Sequence, residues 1–275
     1  MEVKIYTPHL ALQPFVMNIS TVDVSLPKGI SEVVTPYPPT PFQSLIFYCN
    51  HPVSMAKVGE ENFLKQPFSI LIGPQFSRVN IKVHEHLRAI RVDFVPGGMY
   101  RMFNIPMHEL FDEGFDAEEL LGSEIRRINE RLQNSSTLEE GKNIVEEFLL
   151  NQLQKINTLL PFDSALKMLF NLHGNLTIEK TAALSCLSLK QFERTCKERI
   201  GMNPKMYARI LKFSKAYRLR ECFPEMSWIK ICYEAGYYDQ MHMIRDFKLF
   251  AGVNPSIISD QLLQTTIRMQ KDLPL

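Results

Sequence analysis

The segments RTCKERIGMNP (Arg194 to Pro204) and RDFKLFAGVNP (Arg245 to Pro255) end in the same way. Each runs Arg, two residues, Lys, three residues, Gly, one residue, Asn, Pro, at an offset of 51 residues. Proline cannot continue a helix, and it pushes the residue before it out of the helical region. A glycine shortly before it supplies a left-handed cap. Two helices therefore stop by one device, each with an Arg and a Lys one turn apart. Such self-similarity marks a duplicated module.

The surroundings of the two endings agree. TIEKTAALS, with Thr177 as N-cap, precedes SLKQFERTCKERI, which starts on Ser188. SWIKICYEA precedes DQMHMIRDFKLFA, which starts on Asp239. Each pair is a short helix, a tight turn and a longer helix, which is the helix-turn-helix arrangement. Gly236 holds the second turn and Cys186 the first, with one residue fewer in the first. Ala182 and Cys232 are small where the helices should cross. PKMYARILKFSKAYRLREC, opened by Pro204, is predicted to be one long helix joining the copies. Its length of roughly 27 Å, at ~1.5 Å per residue, suits two readers set about one turn of DNA apart.

Charge supports that partner. Net charge over the 275 residues is +1, but residues 162–275 hold 17 Lys/Arg against 11 Asp/Glu, net +6, and residues 1–161 hold 14 against 19, net −5. From Leu187 to Arg220 there are ten basic residues and two acidic ones, Glu193 and Glu198. That density is the footprint of phosphate contacts. A solvated helix face is the bland alternative.

Residues 162–262 resemble the DNA-binding domain of the AraC family of transcriptional regulators. The residues that carry the resemblance are Gly236, Tyr237, Asp239, Gln240, His242, Met243, Arg245, Phe247, Lys248 and Gly252 in the second copy, with Pro204, Lys205, Tyr207 and Arg209 opening the long helix. Met243 and Cys196 stand where aromatics are usual, Met241 where a small polar residue is commoner, and Cys186 where glycine is common. The resemblance implies a sequence-specific regulator that is no enzyme, needs no cofactor and binds double-stranded DNA. It further implies a homodimer, a small-molecule effector and a contact with RNA polymerase; the start MEVKIYTPHL, which has no apolar run of signal-peptide length, gives the expectation of a cytoplasmic location. On a helix starting at Ser188, Lys190, Gln191, Glu193 and Arg194 are placed to face bases. Arg reads guanine, Gln adenine, and Glu accepts from cytosine. Lys197 is placed for phosphate. The equivalents are Gln240, Met241, His242 and Arg245, with Lys248 for phosphate. Ser188, Lys205 and Asp239 complete the expected interface. Phe192, Ile200, Met243, Phe247 and Trp228 are expected in the core.

Residues 1–155 read differently. FVMNISTVDV, SLIFYCN, FSILIGPQ and VNIKVHEHLRAIRVDFV are β-rich runs between turns, with helices from about residue 97. The expected fold is α+β: a β-rich, cupin-like sandwich or barrel with flanking helices at 1–155, a linker at 156–162, and an all-α domain at 163–275. The cupin likeness rests mainly on domain order in the family. Ser136 and Glu139 suggest a capping box for a helix running to Leu153, whose apolar face suggests dimerisation. Sheet aromatics Phe15, Phe47, Phe68 and Phe94 are the candidate lining of an effector pocket, with Gly97 and Gly98 at its rim. His84 and His86 alternate as on one strand, but no Glu follows where a metal-binding cupin places one. Surface histidines are favoured, and no metal is expected. A cupin-like metal enzyme tethered to the DNA-binding domain is the alternative. Cys49 with His51 reads as packing rather than nucleophile and base. Five cysteines without a CxxC pair give no disulfide framework or zinc site. No apolar run reaches the ~18 residues of a membrane span.

Overall fold

The computed structural model describes residues 2–153 and 159–258. The first unit contains β1 (Glu2–Tyr6), β2 (Val16–Ser25), β3 (Glu32–Tyr37), β4 (Ser44–Tyr48), β5 (Ser54–Lys57), β6 (Leu64–Lys65), β7 (Ser69–Ile72), β8 (Val79–His84) and β9 (His86–Phe94). After helix α1 (Gly98–Phe103) comes β10 (Gly114–Asp116), then α2 (Ala117–Leu121), α3 (Ser123–Gln133) and α4 (Leu138–Gln152). A six-stranded sheet, β1-β2-β9-β4-β7-β10, lies against a four-stranded one, β3-β8-β5-β6, and every pairing is antiparallel.

Alternation along β9 explains the layers. Leu87 and Ala89 share a core with Tyr37, Ile81 and Val83 of the four-stranded sheet. Ile90, Val92 and Phe94 point the other way and join Ile125, Leu132, Val145, Phe148 and Leu149 of α3 and α4. A β-strand sends successive side chains to opposite faces, so the large sheet has two buried faces and reads as a nearly continuous apolar run. β10 pairs with β7 over three residues, too short a segment for the sequence to announce. Thr137, not Ser136, caps α4: its hydroxyl accepts from Glu140 N at 3.1 Å, and Glu140 Oε2 accepts from Ser136 N at 2.9 Å. Glu140 reaches past the N-cap to Ser136 N, so the expected Ser136–Glu139 capping box gives way to a single Thr137 cap.

The second unit is helical: α5 (Pro161–Asn171), α6 (Ile178–Leu184), α7 (Leu189–Arg199), α8 (Pro204–Cys222), α9 (Trp228–Glu234) and α10 (Gln240–Phe250). Residues 255–258 are also helical. Of the expected linker, 156–158 lie outside the described residues, while Pro161 and the buried Phe162 already belong to α5. The expected final helix from Pro255 lies mostly outside them too. Phe213 of α8 sits at the hub: its ring centroid is 5.0 Å from Phe247, 5.2 Å from Phe250 and 6.0 Å from Tyr217. Burial of one such side chain is worth about 1.5–3 kcal/mol, and this one ties the joining helix to the second copy. Arg209 on α8 donates twice to the buried Asp246 Oδ1 on α10, at 2.9 and 2.6 Å, and Tyr237 donates to Oδ2 at 3.1 Å.

Candidate nucleic-acid interface

The two turns are the same backbone object. Leu187 N donates to Ala182 O at 3.2 Å and Tyr237 N to Cys232 O at 3.0 Å. One residue back, Cys186 N donates to Ala183 O and Gly236 N to Tyr233 O. Cys186 and Gly236 both have positive φ, 57° and 78°, as a left-handed cap requires. Cys186 thus takes, with a side chain, the conformation that glycine adopts freely. Ala182 and Cys232 are buried at the crossings.

The copies diverge after the turn. Ser188 directly follows Leu187, whereas Tyr238 stands between Tyr237 and Asp239, and it is 88% exposed. Ser188 caps α7 by accepting from Gln191 N at 3.3 Å. Gln191 Oε1 in turn accepts from Ser188 N at 3.1 Å and from its hydroxyl at 2.8 Å. Bidentate reading of adenine needs both ends of an amide. Gln191 therefore offers DNA its donor end only. Asp239 Oδ1 accepts from His242 N at 2.8 Å and lies 2.8 Å from His242 Nδ1. The His242 backbone N–H, foremost, holds the Asp239 carboxyl below its ordinary range. With Nδ1–H directed to Asp239, Nε2 is the ring atom left for DNA.

Lys190, Gln191, Glu193, Arg194, Lys197, Lys205, Gln240, Met241, His242, Arg245 and Lys248 are all exposed. Among the described residues, Arg194, Lys197, Arg245 and Lys248 form no ion pair. Glu198 does not partner Arg194; the Tyr100 hydroxyl donates to it at 3.1 Å. Phe192, Ile200, Met243 and Phe247 are buried, and Trp228 is half-buried, with Phe247 edge-on at 5.4 Å and the Arg220 guanidinium over its ring at 4.2 Å. α8, 19 residues long, spans about 28 Å at ~1.5 Å per residue.

α7 also meets the sandwich. A groove of 1310 Å³ has Ser188, Lys190, Gln191, Glu193, Arg194 and Lys197 on one wall and Phe76, His108 and Phe111 on the other. Behind it, Gln43 Nε2 donates to the carbonyls of Arg199 (3.4 Å) and Ile200 (3.3 Å) at the end of α7. Arg199 pairs with Asp163 at 3.1 Å, and Arg101 approaches the same carboxylate at 3.8 Å. Gly201 has φ 90°, and a Cβ there would stand 2.3 Å from Pro74 Cγ and 2.7 Å from Met107 O. Gly252, its counterpart in the second copy, has φ 71° and nothing within 4 Å. Arg78 donates to Ala251 O at 3.1 Å, and Phe76 packs edge-on against Phe250 at 5.7 Å. This seam has no local signature in the sequence.

The sandwich corrects several expectations. Phe15, Phe47 and Phe94 are buried in the helix-side core, and Phe68 is 38% exposed, so none lines the space between the sheets. Gly97 and Gly98 start α1 against the Phe15 carbonyl, which a Cβ on Gly98 would meet at 2.1 Å; they lead to the seam, not to a pocket rim. His84 ends β8 and His86 begins β9, in different sheets, with separate acids: Glu32 at 4.0 Å and Asp23 at 3.0 Å. Burial pushes the Cys49 thiol up to about 11, which leaves it protonated and unsuited to nucleophilic attack.

Two turns of one geometry, joined by one long helix and followed by exposed cationic helices, define a double helix-turn-helix DNA-binding domain. The family model described as a helix-turn-helix domain matches residues 181–260. The chain that carries this AraC-type domain is a DNA-binding transcriptional regulator. Residues 4–116 match a domain of unknown function (DUF6597). No curated relative matches the chain. Among solved structures, ToxT from Vibrio cholerae O395 is 12% identical with TM-score 0.45, covering 86% of this chain and 99% of that one. Unsaturated fatty acid bound wild-type ToxT from Vibrio cholerae strain SCE256 is 12% identical with TM-score 0.46, covering 88% and 100%. The AraC-like transcriptional activator CuxR is 12% identical with TM-score 0.29, covering 82% and 87%. No described helix is long and apolar enough to cross a membrane.

Proposed function

We propose that the protein reads a two-part operator with α7 and α10, and that the seam with the sandwich governs how available α7 is. The observation that supports this is the unequal setting of the two helices. A helix seated in a major groove ~12 Å wide needs a phosphate ridge on each side. Beside α7 one of those positions is taken by Phe76, His108 and Phe111. Gln240, Met241, His242 and Arg245 are exposed outside that groove. Opening the seam frees α7, and an effector held by the sandwich is the natural trigger. The protein works in the cytoplasm, where its operator is, and acts on transcription through contact with RNA polymerase. It works as a homodimer through a surface other than the apolar face of α4, because Ile144, Val145, Phe148 and Leu149 are already buried within their own domain.

Selection of bound sites from random duplex DNA tests this reading. Two conserved blocks with centres about 10 base pairs apart are expected. A single block, or binding without sequence preference, overturns it.

A further inference from the structure

Between the two sheets lies a cavity of 100 Å³. Its walls are mostly apolar, with Val22, Ile46, Met55 and Ala89 among them. On the scale by which an apolar cavity of ~150 Å³ takes benzene, this one admits about four heavy atoms. Ser20, Tyr37, Ser44, Tyr48 and Gln75 add polar atoms to the wall, and two further groups decide what can bind. The first is Arg91, whose guanidinium donates to Asp93 Oδ1 (2.7 Å), Tyr37 Oη (2.6 Å) and Ser44 Oγ (3.1 Å). Burial opposes its charge, but Asp93 and Tyr37 hold it charged. Arg91 and Asp93 together are a neutral pair, joined through Asp93 Oδ1, with Asp93 Oδ2 buried and without a partner.

The second is Asn18. It is 4% exposed, and neither its Oδ1 nor its Nδ2 has a hydrogen-bond partner. A β-bulge between Val16 and Asn18 brings it into register with Asp93 and onto the cavity wall. An unpaired buried amide is costly, and buried polar groups almost always find partners. An amide oxygen accepts and its nitrogen donates, so one group that does both, a hydroxyl or a primary amide, satisfies it. A carboxylate would compete with Asp93 for Arg91 and leave one anion buried without a partner. An ammonium would face the Arg91 charge.

We infer that this cavity binds a small, uncharged, mostly apolar molecule that carries one hydroxyl or primary amide, held at Asn18. This deepens the effector role proposed above and rests on it for its biological meaning, though not for its test.

The test is thermal unfolding of the full chain, without DNA, in the presence of 2-propanol, acetamide, isobutane or acetate, each of about four heavy atoms. A ligand that binds only the folded state raises the melting temperature with its concentration. 2-Propanol and acetamide are expected to bind about five- to tenfold more tightly than isobutane, the worth of one buried hydrogen bond. Acetate is expected to have no effect. Asn18→Leu should leave the ligand-free melting temperature unchanged or raise it, and should erase the preference for 2-propanol over isobutane. Ala89→Leu, which grows a side chain into the cavity, should abolish binding of every probe. The inference is overturned if no probe stabilises the protein, if acetate binds as well as 2-propanol, or if the 2-propanol preference survives Asn18→Leu. Failure of the operator selection would leave this outcome untouched, so the two readings fail separately.

Discussion

The Tyr100 hydroxyl donates to Glu198 Oε1 at 3.1 Å, joining the first helix of the sandwich unit to the exposed side of α7. With the Gln43 contacts to the carbonyls ending α7, it fastens a DNA-reading helix at two points. Tyr100→Phe combined with Gln43→Leu removes both fastenings and leaves the ring and the packing in place. DNA affinity of the full chain should rise by about tenfold, within the usual range of coupling between sites. Unchanged affinity in a fluorescence-anisotropy titration would show that the seam does not restrain α7.

Arg194 and Lys248 occupy different positions along their helices and should differ in kind. Arg194 is exposed in mid-helix with no ion-pair partner, so it is free for a guanine edge. Arg194→Ala is expected to cost about 1–3 kcal/mol and to relax preference at one or two base pairs. Lys248→Ala should weaken all sequences alike and lower the salt slope by about one. A panel of single-base operator variants, titrated at several salt concentrations, separates the two. Equal loss on every variant for Arg194→Ala would remove its base-reading role.

Tyr238 is the residue by which the second turn exceeds the first. It is 88% exposed, and its ring lies edge-on to His242 with centroids 6.4 Å apart. It therefore stands at the entrance of α10, where side chains commonly contact phosphate and sugar. Tyr238→Ala should reduce operator affinity by about fivefold while stability stays within about 0.5 kcal/mol. Intact affinity would make the extra residue a spacer only.

His173, at φ 50° after α5, is held below its ordinary pKa of 6.5 by burial and then by Lys215 and Arg218 of α8. The unfolded chain therefore takes up this proton before the folded one does. The stability linked to His173 is complete above pH 6.5 and declines as pH falls below it toward the folded value. Asparagine tolerates the left-handed conformation, so His173→Asn should fold and flatten the decline. Melting temperatures of both proteins from pH 8 to 5 check this. Parallel curves would count against it.

What was legible in the sequence was local. Ser188, Asp239, Thr177 and Pro204 signal their helix starts through groups within a few residues, and the structure seats each as a cap or first-turn residue. The left-handed turns at Cys186 and Gly236 followed from the repeat. The sandwich was legible as a class but not by face. Phe47 and Phe94 sit on strands buried on both sides, where an apolar residue carries no sign of which side it faces. Asn18 was missed for a related reason: a bulge sets its direction, and bulges leave no pattern in one sequence. Gln191 was read for its chemistry without its own cap, which takes its oxygen. Contacts such as Gln43 with Arg199 join residues far apart in the chain, and no periodicity predicts them.

Gln43 and Ser44 share a peptide bond: one donates to the end of α7, and the other's hydroxyl accepts from Arg91 at the cavity and donates to Asp93 at 2.6 Å. Occupation of the cavity that shifts Ser44 must then be felt at α7. Thermodynamic linkage runs in both directions, with one factor for both. Operator DNA would itself be an effector of the cavity, altering its affinity for the small molecule by the same ratio that the small molecule alters affinity for DNA. A cell rich in vacant operators and one with few would then hold different amounts of the bound molecule at the same free concentration.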